Sequence, residues 1–258
     1  MRDIFILLQR DLKGSVKMRQ LIMLVFLLLF QFWFILGSDS VGQVRSTGTM
    51  HFMAVVFSFN FFGSIVALAF NYDGISSERE SKFLDLILTS DITKKKLYIS
   101  KILTSLIISF IFALLYVFIL MLVYWTMSGD IGLGLMTLRY ILPLTAFLLI
   151  FSLMGLMLSV VFRSSKTSLI TAMIIGGMMM PRLFIMIMDS IGGIFGFADK
   201  TMEILYMLSP ALIMNALNGY SEMHYVYWAL ILLAAYLIIV IASGMYSFIR
   251  QDELNYGE

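Results

Sequence analysis

Six apolar runs, each close to the length needed to cross a bilayer, constrain this chain more than any other feature. They lie at 21–37, 51–71, 102–126, 140–162, 168–188 and 225–248. A helix needs roughly 20 apolar residues to span about 30 Å of hydrocarbon, and it satisfies its own backbone hydrogen bonds there. The pattern predicts an all-α membrane protein with six transmembrane helices. The basic residues orient it. With the N-terminus placed inside, the inner segments hold 14 Lys and Arg, and the outer ones hold 4: Arg45, Arg139, Arg182 and Lys200. That bias predicts cytoplasmic N- and C-termini in a multi-pass protein of the plasma membrane. Trp33, Trp125 and Trp228 then all fall at the outer interface, where aromatic belts form.

Composition narrows the function. Charged residues make up 13% of the chain, against about 25% in a soluble domain. Most of the 258 residues lie in or on the membrane, which leaves no room for a soluble catalytic domain. A net charge of +2 is too small to point to a nucleic-acid partner. The absence of cysteine excludes disulfides, thiolate metal sites and a cysteine nucleophile. Residues 1–20 carry a charge every few positions, and run one is too long for the core of a cleavable signal peptide.

The chain before run one, residues 1–20, reads as an interfacial helix. Ile4, Phe5, Leu8, Leu12 and Val16 share one arc, and Arg2, Arg10, Lys13 and Lys17 share the opposite one, with Ile6 and Leu7 blurring the division. Such a helix lies along the inner headgroups with its cations toward anionic lipid. The plain alternative is a positive-inside flank. The six-span domain follows at 21–258. Its cytoplasmic segment 72–101 contains a helix over 81–89 that is too short to span. Phe83, Leu84, Leu86, Ile87 and Leu88 cover one arc of it, and Lys82, Asp85 and Thr89 cover the other. It is expected to lie flat, apolar side against the bundle and polar side toward the cytoplasm, as a docking element or as a solvated loop that only sets topology. Ser90, Asp91 and Thr93 are capping residues that break this helix and start the next.

These residues resemble a known family. Glu78-Arg79-Glu80, then Leu84-Asp85-Leu86-Ile87-Leu88-Thr89-Ser90, then Lys101 at the mouth of run three, look like the type-2 family of ABC transporter permeases. The chain departs from that pattern at Lys82, where glycine is usual, and at Asp91, where proline is usual. Leu208-Ser209-Pro210, with Asn215 and Gly219 following, resembles the family's outer Leu-Ser/Thr-Pro segment. The resemblance implies that the 81–90 helix is a coupling helix seated in a cleft of an ATP-hydrolysing subunit. It also implies that Glu78, Glu80, Lys82, Phe83, Asp85, Leu88, Thr89 and Asp91 make that contact, and that a second permease copy or a related permease completes the path. No G-x-x-x-x-G-K-[ST] occurs in the chain, so it is not expected to be an enzyme or to hold a cofactor; ATP and Mg belong to the separate ATPase subunit.

Rival classes find less support. His51 and His224 are far apart, and there is no H-E-x-x-H and no G-x-S-x-G for an intramembrane hydrolase. A secondary transporter or channel usually carries charges within its spans, and these spans are nearly free of them. Arg182, next to Pro181 and about 21 Å into run five, either snorkels to the outer headgroups or lines the exit of a pathway. The proline is expected to kink or end the span. Asn60 is the best candidate for a polar group on the path or at a dimer interface, and Gln31, Ser105, Ser109, Ser152 and Ser159 can bond between helices. The outer stretch 189–224 is broken by Gly192, Gly193, Gly196, Pro210 and Gly219, so it reads as a re-entrant pair of short helices. Many of the 21 methionines fall here and in run five, either as packing filler or as a surface for varied apolar ligands. The charge-poor spans suit a hydrophobic or amphipathic cargo: a membrane-active peptide, a lipid-like molecule or a drug. The whole is one half of a twelve-span exporter.

The charge bias generates a topology prediction. Reporter tags at residue 258 and within 90–96 should report from the cytoplasm, and a tag at residue 43 from outside. The same side for 43 and 92 would contradict the six-span layout.

Overall fold

The computed structural model describes residues 2–15, 18–37, 58, 62–89, 92–197, 199–206, 209 and 223–250. Among them there are helices and turns and no strand. In order the helices are α1 (Arg2–Ser15), α2 (Met18–Gly37), α3 (Ser64–Leu68), α4 (Ser76–Glu80), α5 (Phe83–Thr89), α6 (Lys94–Ser128), α7 (Ile131–Leu135), α8 (Ile141–Val161), α9 (Ser165–Met178), α10 (Pro181–Phe195), α11 (Asp199–Tyr206) and α12 (Met223–Arg250). Three helical stretches, Lys94–Ser128, Met136–Val161 and Ile231–Arg250, are long and apolar enough to cross a membrane. The bent pair Ser165–Met178 and Leu183–Phe195 adds a fourth if it is one span.

Local chemistry sets the helix ends. Thr93 caps α6 by accepting from the Lys96 N–H (3.4 Å), and Gly129 ends it in the left-handed region at φ 70°. Asp130 caps α7 by accepting from the Gly132 N–H (2.8 Å). Run five does not continue as one rod. Pro181 is the first residue of α10 and cannot donate to the turn before it, so α9 stops at Met178 and the two axes differ by 67°. The short helices after the bend are therefore α10 and α11, and the first begins eight residues before the stretch expected at 189–224.

α8 sits centrally, packed on α3, α6, α9 and α12. Its buried side chains, including Leu144, Leu148, Phe151 and Leu158, join Phe112, Tyr116 and Leu120 of α6 in the main apolar core. A second core gathers Leu7 of α1, Ile75, Leu84 and Ile87, Leu97 and Tyr98 of α6, Leu153, Leu156 and Val160 of α8, and Val240 and Phe248 of α12.

Run two ends differently from its apolar pattern. Helix stops at Leu68, and 69–75 form turns. Asn71, Asp73 and Gly74 are turn formers, and side chains of neighbouring helices take up the freed polar groups. The Asn71 amide donates to Ser105 Oγ (2.7 Å) and Ser152 Oγ (2.6 Å). Ser159 Oγ accepts from the N–H groups of Ile75 (2.7 Å) and Ser76 (2.8 Å), and Ser168 Oγ donates to the Tyr72 carbonyl (2.6 Å). Three of the serines expected to bond between helices thus meet here. Gln31 Oε1 accepts from the Ser58 N–H (2.9 Å) and the Tyr116 hydroxyl (3.2 Å). Ser109 is buried with no hydroxyl partner among the described residues.

α3 lies against α8 where Gly155 allows the Leu68 backbone to approach, since a Cβ at Gly155 would overlap the Leu68 carbonyl. Gly155→Ala should therefore force backbone apart at a cost of about 1–3 kcal/mol and lower the thermal midpoint in detergent by several degrees. Gly177→Ala, whose Cβ would meet nothing within 4 Å, should leave it unchanged or slightly higher. Equal midpoints for Gly155→Ala and the parent would contradict this packing.

Candidate functional site

Three consecutive residues of α4 reach three different parts of the bundle. Glu78 turns toward α1 and α6. Its Oε1 accepts from Lys101 Nζ (2.7 Å) and from Arg10 (3.0 Å). Arg10 also binds Asp11 (2.5 Å), and Asp11 lies 3.3 Å from Lys101. Two cations and two carboxylates thus close a neutral group in which Asp11, Glu78 and Lys101 are largely buried. Neutrality and mutual hydrogen bonds are what make such burial tolerable. Arg79 turns toward α8 and donates twice to the Val160 carbonyl (3.4 Å each). Burial, and then the nearby Arg163, lower its pKa, yet a guanidinium stays charged at ordinary pH. Glu80 turns toward α9, where it accepts from the Ser165 N–H (2.9 Å) and the Ser165 hydroxyl (2.9 Å).

The Glu80 bonds cap the start of α9, where an anion is favoured. The backbone bond from Ser165, then its hydroxyl bond, hold the Glu80 carboxyl below the usual carboxylate range. The sign follows: this tie contributes fully above the unfolded carboxyl's pKa and is lost as pH falls through the lowered folded value.

Beyond α4 the chain reverses at Lys82, which adopts φ 56°. The resembling family has glycine at this position, and a left-handed turn is what glycine suits; a side chain there costs about 1–2 kcal/mol. The departure in residue type leaves the turn in place. α5 then lies along the second core. Leu84 and Ile87 are each 7% exposed, whereas Phe83 is 41% exposed and Asp85 is exposed. Phe83 was expected on the packed arc. Instead its ring sits beneath the Arg10 guanidinium, 5.4 Å from the centroid, because Arg10 is drawn inward by Glu78. The side chains of Leu88, Thr89 and Arg182, and the residues Asn60 and Asp91, lie outside the described set.

Sequence reasoning missed Arg10 and Asp11. Arg10 was placed among the headgroup cations, and Leu7 was treated as noise. In the structure Leu7 and Asp11 form the packed face of α1, while Phe5 and Ile6 are exposed. The signal was present: Asp3, Leu7 and Asp11 repeat every four residues, a single stripe on a helix, and Asp3 pairs with Lys96 (2.8 Å) one turn before Lys101. Ser165 was also missed; it stands three residues before the expected start of run five.

Several apolar helices long enough to span, joined by this internally paired polar group, make the chain a multi-pass membrane protein. The family model described as ABC-2 family transporter protein matches residues 5–253, and the chain belongs to that family. Membership implies an ABC transporter that works with an ATPase partner. No curated protein matches the chain.

Lys101→Met leaves Asp11 and Glu78 with Arg10 alone, and breaking a buried pair costs about 3–5 kcal/mol. The chain has no cysteine, so cysteines placed at Asp3 and Lys96 give a clean distance reading. A short bismaleimide should join them in the otherwise unaltered chain and join them several-fold less in the Lys101→Met background. Equal yields would mean that the ion group does not dock α1.

Proposed function

We propose that this chain is the permease subunit of an ATP-driven exporter, and that α5 is its coupling helix. The observation that carries the reading is the two-sidedness of α5. Leu84 and Ile87 are sunk in the second core, Phe83 and Asp85 are left outside, and α4 fastens the preceding turn to α1, α6, α8 and α9. A helix held in this way can accept a push from outside and pass it to several spans together. ATP and Mg are held by the ATPase subunit, and this chain itself is not an enzyme.

In this reading the chain crosses the plasma membrane six times with both termini in the cytoplasm. A second copy or a related permease closes the path, and two ATPases bind the paired α5 helices. ATP-driven closure of the ATPases carries α5 and α4 with it and switches the path from inward to outward. The charge-poor spans suit a hydrophobic or amphipathic cargo leaving the cytoplasm or inner leaflet.

The contact roles divide by exposure. Asp85, Phe83 and Lys82 are available to a partner. Glu78 is committed to Lys101 and Arg10, so its reversal perturbs the permease internally. Asp85→Lys is therefore the cleaner probe. An opposed charge at an interface can cost several kcal/mol, so capture of the ATPase should weaken by about tenfold or more, and transport should fall with it. Membrane insertion and the thermal midpoint should stay at parental values. Parental ATPase capture and transport in Asp85→Lys would contradict the coupling role.

A further inference from the structure

The end of the molecule away from α5 carries a second polar feature that coupling does not use. α9 begins beside Glu80, and its 14 residues rise about 21 Å before the bend into α10. Between α10 and α11 lies a shallow, largely open depression of about 590 Å³. That is within the roughly 300–1,000 Å³ of small-molecule sites. Among the described residues its wall includes Asp189, Gly192, Gly193, Phe197, Met202 and Tyr206.

Asp189 is the unusual member. The sequence holds no other Asp or Glu from 131 to 198, and α10 carries Arg182 and Ser190 as its other polar residues, with Met186, Ile194 and Phe195 exposed. The Asp189 side chain is exposed and so open to a ligand. Its carboxylate accepts from the Tyr206 hydroxyl. The hydroxyl orients one carboxylate oxygen. Around it stand groups suited to a cation with an apolar body. Phe197 stacks on Phe195, with centroids 5.6 Å apart and planes 15° apart, and an aromatic face attracts ammonium ions. Met202 supplies a polarizable thioether, packed where a Cβ on Gly192 would strike it.

We propose that the α10–α11 cup binds an organic ammonium ion, with Asp189 as its counter-charge, Tyr206 as the group that aims the carboxylate, and Phe197 and Met202 as the apolar wall. The ammonium could be that of a free amine or of a lipid headgroup. Binding is a property of this chain alone, so the inference does not depend on the ATPase reading.

The test uses the full chain in nanodiscs of an uncharged galactolipid, with benzyltrimethylammonium as probe, benzyl alcohol as its uncharged control, and saturation-transfer NMR as readout. The parent should bind the ammonium in preference to the alcohol. Asp189→Asn should weaken ammonium binding by about tenfold or more, the loss expected when a charge-assisted contact is removed. Gly193 faces open space, since a Cβ there meets nothing within 4 Å. Gly193→Trp should therefore fill the cup and abolish binding while leaving the charge in place. Ser190→Ala, whose hydroxyl bonds back to Met186 of its own helix, should bind as the parent does. Circular dichroism should give equal helix content in all four. Repeating the titration in phosphatidylcholine separates the sources: weaker apparent binding identifies the lipid headgroup as a competing occupant, and unchanged binding identifies the free amine. No preference for the ammonium in the parent, or parental affinity in either Asp189→Asn or Gly193→Trp, would overturn the proposal.

Discussion

A carboxylate buried in so apolar a chain must bring cations with it, and Glu78 brings them from two separate helices. Lys101 comes from α6 and Arg10 from α1, and Asp11 balances the second positive charge. The position of α1 follows from this requirement. So does that of Phe83, which stays outside under Arg10. Because Arg79 and Glu80 reach α8 and α9 from the same short helix, one turn of backbone joins segments that are far apart in sequence. The ion group joins residues 10, 78 and 101, and the other two ties extend it to residues 160 and 165.

The irregular backbone at 69–75 has the same logic with neutral groups. It leaves the helical pattern within reach of α6, α8 and α9, where the Asn71 side-chain amide, the Ile75 and Ser76 N–H groups and the Tyr72 carbonyl meet serine hydroxyls. Had those helices offered leucine at 105, 152, 159 and 168, the turn would have left buried amides unsatisfied, and continuation of α3 as helix would have been favoured. The serines therefore specify where the helix stops, and so where α4 is presented.

Much of the architecture was legible in the sequence, because length and hydropathy alone decide whether a helix can cross a bilayer. α2, α8 and α12 follow their apolar runs within three residues, α6 carries run three but begins eight residues before it, and Pro181 announced the bend between α9 and α10. The polar contacts were less legible for a physical reason. An amphipathic wheel ranks faces by hydrophobicity, and it assigns a charged stripe to water or headgroups. It cannot see that Arg10 and Asp11 will face partners 68 and 90 residues away. Leu7 looked like noise for the same reason, since the face it belongs to is defined by Asp3 and Asp11 and not by other leucines. At Lys82, where the resembling family usually has glycine, the chain adopts φ 56°, a left-handed turn that the residue type does not announce.

The central claim is that the outer face of α5 meets an ATPase while its inner face is held by the bundle. A photo-crosslinking amino acid placed singly at Asp85 and at Leu84, in cells that also make the transporter's P-loop ATPase, tests it most directly. The account predicts an adduct containing the ATPase from position 85, and from position 84 only crosslinks within the chain, because Leu84 is buried beneath α5. An adduct with the ATPase from 84 but not from 85, or lipid adducts alone from 85, would contradict it.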